Sequence, residues 1–251
     1  MKKLTLQSLR CCCAIAITAL LNLNYNAAKA IPKDEALNKL NILIGFTITD
    51  FKEDFYAFPN QENSILIFNS ASDAIELLRS IQGDDIVMQN LKVTPYNLGR
   101  ALEKVIKLNA AADSKEQAID YRISFVARKH DKTAAKKILE KTSTKPVSLN
   151  EISFPVFYTQ PMMQAKSTNN STGKTVNVGL FFSSHKQILE FINNLPESKR
   201  KMFATIKVSD ITNVLKFIET EPEDKYMFYP GPNFLELREK AGVNDDGLIL
   251  K

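Results

Sequence analysis

The side chains that could do acid–base, nucleophilic or metal chemistry are few in this sequence, and their spacing does not group them. His130 and His185 are its only histidines. One stands at an expected strand end and the other in an expected first helical turn, positions that polar surface residues take. Neither has a second histidine at ligand spacing, and there is no His-Glu-x-x-His run, so zinc is not expected. The acidic pairs Asp84-Asp85 and Asp245-Asp246 lie in glycine-flanked, turn-like stretches that favour aspartate. The second pair lacks the twelve-residue frame and distal glutamate of a calcium loop. No Gly-x-Ser-x-Gly elbow, phosphate-cradling glycine loop or dinucleotide fingerprint occurs. The sequence therefore predicts no catalytic residue, no metal and no cofactor. What it offers is aromatic surface: Phe181 and Phe182 closing one apolar run, Phe68 closing another, and Phe51, Phe55 and Phe58 in a single connector. These six are the candidate polypeptide-binding residues, because an apolar patch left open marks a binding surface.

The element that must position Phe181 and Phe182 is Val176 to Asn193. Its β-branched, glycine and aromatic residues up to Phe182 suit a strand buried on both faces. Ser183 and Ser184 stop that strand, and Ser184 with Gln187 has the spacing of a capping box. Ile188, Leu189 and Ile192 then give one apolar helical stripe. The chain carries an earlier version of the same sentence. Ile65 to Phe68 is followed by the polar stop Asn69 to Ser72, then by Ala74, Ile75 and Leu78 with Leu77 and Ile81 beside them. Phe68 maps onto Phe182 at an offset of 114, Val93 onto Val208 at 115, and Ile44 to Thr49 onto Phe154 to Thr159 at about 110. A long internal repeat of this kind decides the architecture. The fold class expected is mixed α/β, each half reading β-β-α-β-α-β-α, with repeat one at about 40–141 and repeat two at about 152–241.

Met1 to Ala30 reads as a cleaved signal peptide, with Lys2, Lys3 and Arg10 ahead of the apolar run Cys11 to Leu23 and a small-x-small site at Ala28-Lys29-Ala30. The 13-residue run is too short for the ~20 residues that span a bilayer. Without this segment the chain has 29 basic against 28 acidic residues, a net charge of +1, and none of its three cysteines. A nearly neutral chain has no general hold on phosphates, so nucleic acid is not an expected partner. Disulfides and thiol chemistry are excluded together. Residues 31–251 are expected to form one domain held by its core, since a chain of this size can bury about 70% of its unfolded surface.

Along that domain, Ile31 to Lys39 is a leader with Pro32 at a helix start. Asp50 to Asn63 joins the first two strands. It is either a strand continuing to Phe58 before Pro59-Asn60 or a partly exposed aromatic patch. Ile123 to Ala127 reads as a strand, and Asp131 as the cap of a helix with stripe Ala134, Ala135, Ile138 and Leu139. Thr142 to Glu151 is a linker. Met162 to Lys174 reads as a polar hairpin loop closing on Gly173, with glycan acceptor patterns from Asn169 to Thr172. Lys225 to Tyr229 is the closing strand. Asn233 with Glu236 approximates a capping box, opening a helix that Gly242 can end.

The blocks Leu40-Asn41, Gly45 to Thr49, Phe154 to Tyr158, Val178 to Phe182 and Met227 to Pro230, in this order and repeated, resemble the Tic-twenty-two family, the soluble component of the chloroplast inner-envelope translocon. Its cyanobacterial-type members are most similar, and the likeness runs from Leu40 to about Pro230. Gly45 and Gly179 depart from it, since the family is expected to carry proline there. The resemblance implies a non-enzymatic exported protein of two halves about a pseudo-twofold axis, helices packed on sheets, with apolar grooves for unfolded or precursor proteins. It further implies a chaperone or translocation factor working with an outer-membrane barrel assembly or import machinery, with peripheral membrane contact. The expected location is the periplasm or thylakoid lumen, or the chloroplast intermembrane space in a plant or alga. The alternative from another class is a periplasmic small-ligand or lipid-binding module.

Strand alternation sends Phe181 and Phe182 to opposite faces. The helices around Ile188 and Val214 can cover one face. The other is either covered by the opposite half or left as a client groove.

Overall fold

Pro32, with its fixed φ and missing N–H, suits the start of helix α1 (Lys33–Asn38), which runs into the 3-10 turn Lys39–Ile42 and buries Ala36, Leu37 and Leu40. In this computed structural model the residues described are 31–58, 61–82, 86–112, 120–141, 148, 152–168, 175–221 and 224–240. The first sheet is built from β1 (Ile44–Thr49), β2 (Ser64–Phe68), β3 (Lys92–Asn97) and β4 (Arg122–Val126) in the order β3-β1-β2-β4. β1 is antiparallel to both neighbours, and β2 is parallel to β4. β2 is apolar on both faces because both are covered, and all five of its residues are buried. Pro95 is tolerated in β3 because that strand is an edge. Helices α2 (Ala71–Ile81), α3 (Ile86–Gln89), α4 (Leu98–Ala112) and α5 (Lys129–Glu140) complete this half. Ser70 caps α2 by accepting the Asp73 N–H.

The second half contains β5 (Pro155–Thr159), β6 (Gln164–Thr168), β7 (Thr175–Phe181), α6 (His185–Asn193), α7 (Glu197–Met202), β8 (Ile206–Asp210), α8 (Ile211–Thr220), β9 (Tyr226–Phe228) and α9 (Pro232–Lys240). β5 pairs antiparallel with β8, while β7 lies antiparallel to β6 and parallel to β9. The two sheets meet at one antiparallel bridge, Phe157 with Phe182, closed by N–H···O bonds of 2.8 and 2.9 Å. The strands therefore follow one another as β8, β5, β7, β9, with the same relative senses as β3, β1, β2, β4. Mixed α/β architecture with several sheets is as expected. The sequence reading lacked the short helix α3, and it took for loop the residues that form β6.

Three clusters make the core. The central one lies between the halves and joins Ile67, Leu98 and Ala101 to Phe154, Val156, Phe181, Ile211 and Phe228, with α1 packed against α4 and α8. One outer cluster, with Ile48, Leu66, Phe68, Ala74 and Leu78, lies under α2. The other joins Phe157, Leu180, Phe182, Ile188 and Ile192 to Ala135 of α5. Helices are thus exchanged: α5 packs on β5, β8 and α6, and α9 packs on β1. The stripes are narrower than the sequence suggested, since Ile75 and Leu189 point outward while Ala74, Leu78, Ile188 and Ile192 are buried.

Helix starts depart most from expectation. Ser184 is the N-cap residue of α6 but its side chain makes no capping bond. Asp131 of α5 supplies that bond from across the fold, accepting the His185 N–H at 2.8 Å. Asp131 lies inside α5, whose N-cap is Arg128, so it does not cap its own helix. Gln187 instead donates to the Pro230 carbonyl at 2.6 Å. Asn233 sits in the first turn of α9 and donates to the Ile44 and Asn69 carbonyls, both at 3.0 Å, stapling α9 to the first sheet. The segment after Asp50 is not a continuous strand, and of its aromatics Phe51 is exposed while Phe55 and Tyr56 are half-buried. The Asp50 carboxylate accepts the Lys52 and Asp54 N–H groups, and single bridges follow at Thr49–Phe55 and Phe58–Ser64. The signal segment, both acidic pairs, most of the 142–151 linker, Asn169 to Gly173 and Gly242 lie outside the described residues. Among the described residues no helix is long and apolar enough to cross a membrane.

Candidate polypeptide groove

Alternation along β7 sends Phe181 to the central core and Phe182 to the outer one. Phe181, only 3% exposed, forms the floor of a groove of about 660 Å³ that opens between β5, β8, β9 and α8. Tyr158 meets the Phe181 ring edge-on at 5.8 Å, and Tyr226 lies 5.8 Å away on the other side. Phe217 of α8 contacts Tyr226 edge-on at 4.9 Å and stands at the lip, 41% exposed. Gly179 lets this wall close: a Cβ there would lie 2.3 Å from Met162 Sδ and 3.0 Å from Tyr226 Cδ1. Lys207, Ser209 and Asn213 make the polar side. Partial burial, reinforced by the charge of Glu221 and opposed by Lys225, pushes the Tyr226 hydroxyl above its ordinary pKa, so it stays a neutral donor and acceptor.

The frame is held by Asp210, the last residue of β8 and the N-cap of α8. One oxygen accepts from the Thr212 N–H and hydroxyl at 3.0 and 2.8 Å. The other accepts from the Ser153 N–H and hydroxyl and the Phe154 N–H, at 3.1, 2.6 and 3.1 Å. Burial opposes its charge, but these bonds from Ser153, Phe154 and Thr212 together hold the carboxyl below its ordinary pKa.

The two histidines meet at the junction of α5 and α6. Asp131, completely buried, lies between them, with His130 Nε2 3.3 Å from Oδ2. Burial raises the Asp131 pKa against the His185 N–H bond and the charges of His130, Arg128 and His185. Burial lowers that of His185 against the attraction of Asp131. This cluster is a structural latch between helices. Among the described residues no group of three His, Cys, Asp or Glu side chains could hold a metal.

The six candidate residues do not converge. Phe181 alone lines the groove. Phe182 is fully buried, stacked on Tyr229 at 5.1 Å. Phe68 and Phe58 are core residues of the first half. Phe55 is half-buried against Tyr96, and Phe51 is 69% exposed at the turn. Sequence reasoning missed Tyr158, Met162, Phe217 and Tyr226. Tyr158 was legible by alternation from Val156. Phe217 lies three residues after Val214, a helical spacing read only for the core stripe.

The groove offers aromatic and thioether surface with a few hydrogen-bonding groups. The fold around it defines a mixed α/β protein with a shared core between two sheet-and-helix halves. No family model and no curated sequence matches the chain. Among solved structures it is similar to Anabaena Tic22, described as a protein-transport protein, with a TM-score of 0.61 and 15% identity over 86% of this chain and 100% of that one. It is also similar to Tic22 from Plasmodium falciparum, with a TM-score of 0.58 and 20% identity over 83% of this chain and 98% of that one. The chain has the Tic22 fold.

Proposed function

We propose that this protein is a non-enzymatic polypeptide-binding factor of protein transport, exported by the segment before Ile31, that holds unfolded precursors through the groove beside α8. The observation that carries this reading is Phe217, a large aromatic left exposed on the lip of an otherwise aromatic-walled groove. The clients are unfolded or precursor chains, including outer-membrane barrels, met in a periplasm or thylakoid lumen. We further infer that the halves are repeats about a pseudo-twofold axis. Support comes from the Leu98 N–H donating to Leu43 and the Ile211 N–H to Phe154, both at 2.9 Å. Asn69 and Ser183, paired by the sequence offset of 114, also touch each other, Asn69 Nδ2 donating to the Ser183 carbonyl at 3.4 Å.

The test replaces Phe217 with Asp, a partly exposed change expected to cost about 1 kcal/mol through the lost Tyr226 contact. Thermal unfolding should stay cooperative with a midpoint lowered by only a few degrees, while suppression of aggregation of a denatured barrel protein falls several-fold. A Phe217→Asp protein that still holds the client places binding elsewhere. One stoichiometric small molecule in native mass spectra would favour the ligand-binding module instead.

A further inference from the structure

We propose that a second groove, between α5 and the start of α6, docks an extended acidic polypeptide segment, independently of the apolar groove. It measures about 690 Å³ and is lined by Lys129, Thr133 and Lys137 on successive turns of α5 and Lys141 at its C-cap, with His130 and His185 alongside and Ala134 and Ile138 as floor. No carboxylate lines it. The nearest ones are engaged: Asp131 is buried beneath, accepting the His185 N–H, and Glu140 pairs with Lys136. Among the described residues none of the three lysines has a carboxylate partner. In a chain that carries 29 basic and 28 acidic residues after Ala30, this is a local excess of positive charge awaiting its complement.

The spacing narrows the partner. Residues four apart on a helix rise about 6 Å, so the three lysines and Thr133 form a ladder roughly 18 Å long. An extended chain presents the same face every two residues, about 6.5–7 Å, so carboxylates at alternate positions would come into step with that ladder. A concave groove suits a single chain better than a flat anionic bilayer. Single-stranded nucleic acid needs aromatic stacking platforms, and this floor is Ala134 and Ile138.

The experiment measures fluorescence anisotropy of a labelled twelve-residue peptide of alternating Glu and Thr on the full chain at low salt. Its comparisons are an alternating Gln and Thr peptide, a peptide with its six Glu in one block, phosphatidylglycerol vesicles and an oligo-dT. The variant is Lys137→Glu with Lys141→Glu, checked for an unchanged melting curve. The alternating acidic peptide should bind most tightly, and the double substitution should weaken it about tenfold, as two reversed surface pairs would. The Gln peptide should not bind, and added salt should abolish the difference. The inference is overturned by equal binding to the variant, by no binding to either protein, or by equal affinity for the blocked peptide. It is also overturned if only vesicles or oligo-dT respond to the substitutions.

Discussion

Beside β1 and α4 the connector after Asp50 turns back on itself. Phe55 lies against Tyr96, ring centroids 5.0 Å apart and edge-on, and Lys104 Nζ closes over the Phe55 ring at 4.6 Å. Beside β5 and α8 the segment after β5 runs away as β6, and the space flanked by Tyr158, Phe181 and Tyr226 stays open. The two places use similar materials, an apolar sheet face and a helix beginning directly after a strand. They differ in whether the intervening segment returns. An Asx turn at Asp50, with Glu53 at φ 66°, brings Phe55 back to bridge Thr49, whereas residues 164–168 pair with β7 instead. The open groove is the place where such a plug is missing.

The largest effect expected from this comparison lies at the covered faces. Phe182→Asp would place a carboxylate among Phe157, Phe191 and Tyr229, where it finds no compensating charge. That should cost several kcal/mol, a third or more of typical domain stability. Circular dichroism should show the cooperative thermal transition lost or sharply lowered, in contrast to Phe217→Asp. A Phe182→Asp protein that melts like wild type would mean the outer core is open as well, and the contrast between closed and open faces would collapse.

Most of the strands were legible because alternation and β-branched runs are local. Ile65 to Phe68 and Val176 to Phe182 reveal themselves within a few residues, and both proved central strands. The groove was half legible. Phe181 was identified, but its neighbours come from four further elements, and no spacing along the chain joins Tyr158 to Phe217. Helix starts were misread for a similar reason. The Ser184-x-x-Gln187 pattern is a local rule, and the first amide of α6 is instead met by Asp131, a carboxylate delivered from the other half. Asn233 likewise looked like a cap and serves as a staple on two carbonyls of the first sheet.

A middle-sized effect should follow from removing the plug. Phe55→Ala would uncover the Tyr96 side of the first half and forfeit part of an aromatic side chain's burial, about 2 kcal/mol. The fluorescence of a dye that binds exposed apolar surface should rise, and client holding should increase because a second groove has opened. An unchanged dye signal would show that Phe55 does not close this site.

The smallest expected effect concerns the residues that start the two helices. Asn97 precedes α4, is neutral and donates to the Asn41 carbonyl, while Asp210 precedes α8, is charged and gathers donors from Ser153, Phe154 and Thr212. Only the second junction, the one framing the open groove, should respond to acid. The folded-state pKa of Asp210 is below the ordinary 3.8. Its stabilisation is therefore fully present above that value and is lost as pH falls through the folded-state value. Asp210→Asn keeps an oxygen for the Thr212 N–H but turns an NH2 toward the Ser153 and Phe154 N–H groups, and the lost bonding should cost about 1 kcal/mol at neutral pH. Urea unfolding measured from pH 7 downward should show wild type and Asp210→Asn converging below about pH 3.8, while wild type and Asn97→Ala, which differ in no ionisable group, should stay a constant distance apart. Parallel curves for wild type and Asp210→Asn across that range would mean that the charge of Asp210 does not hold the groove's frame.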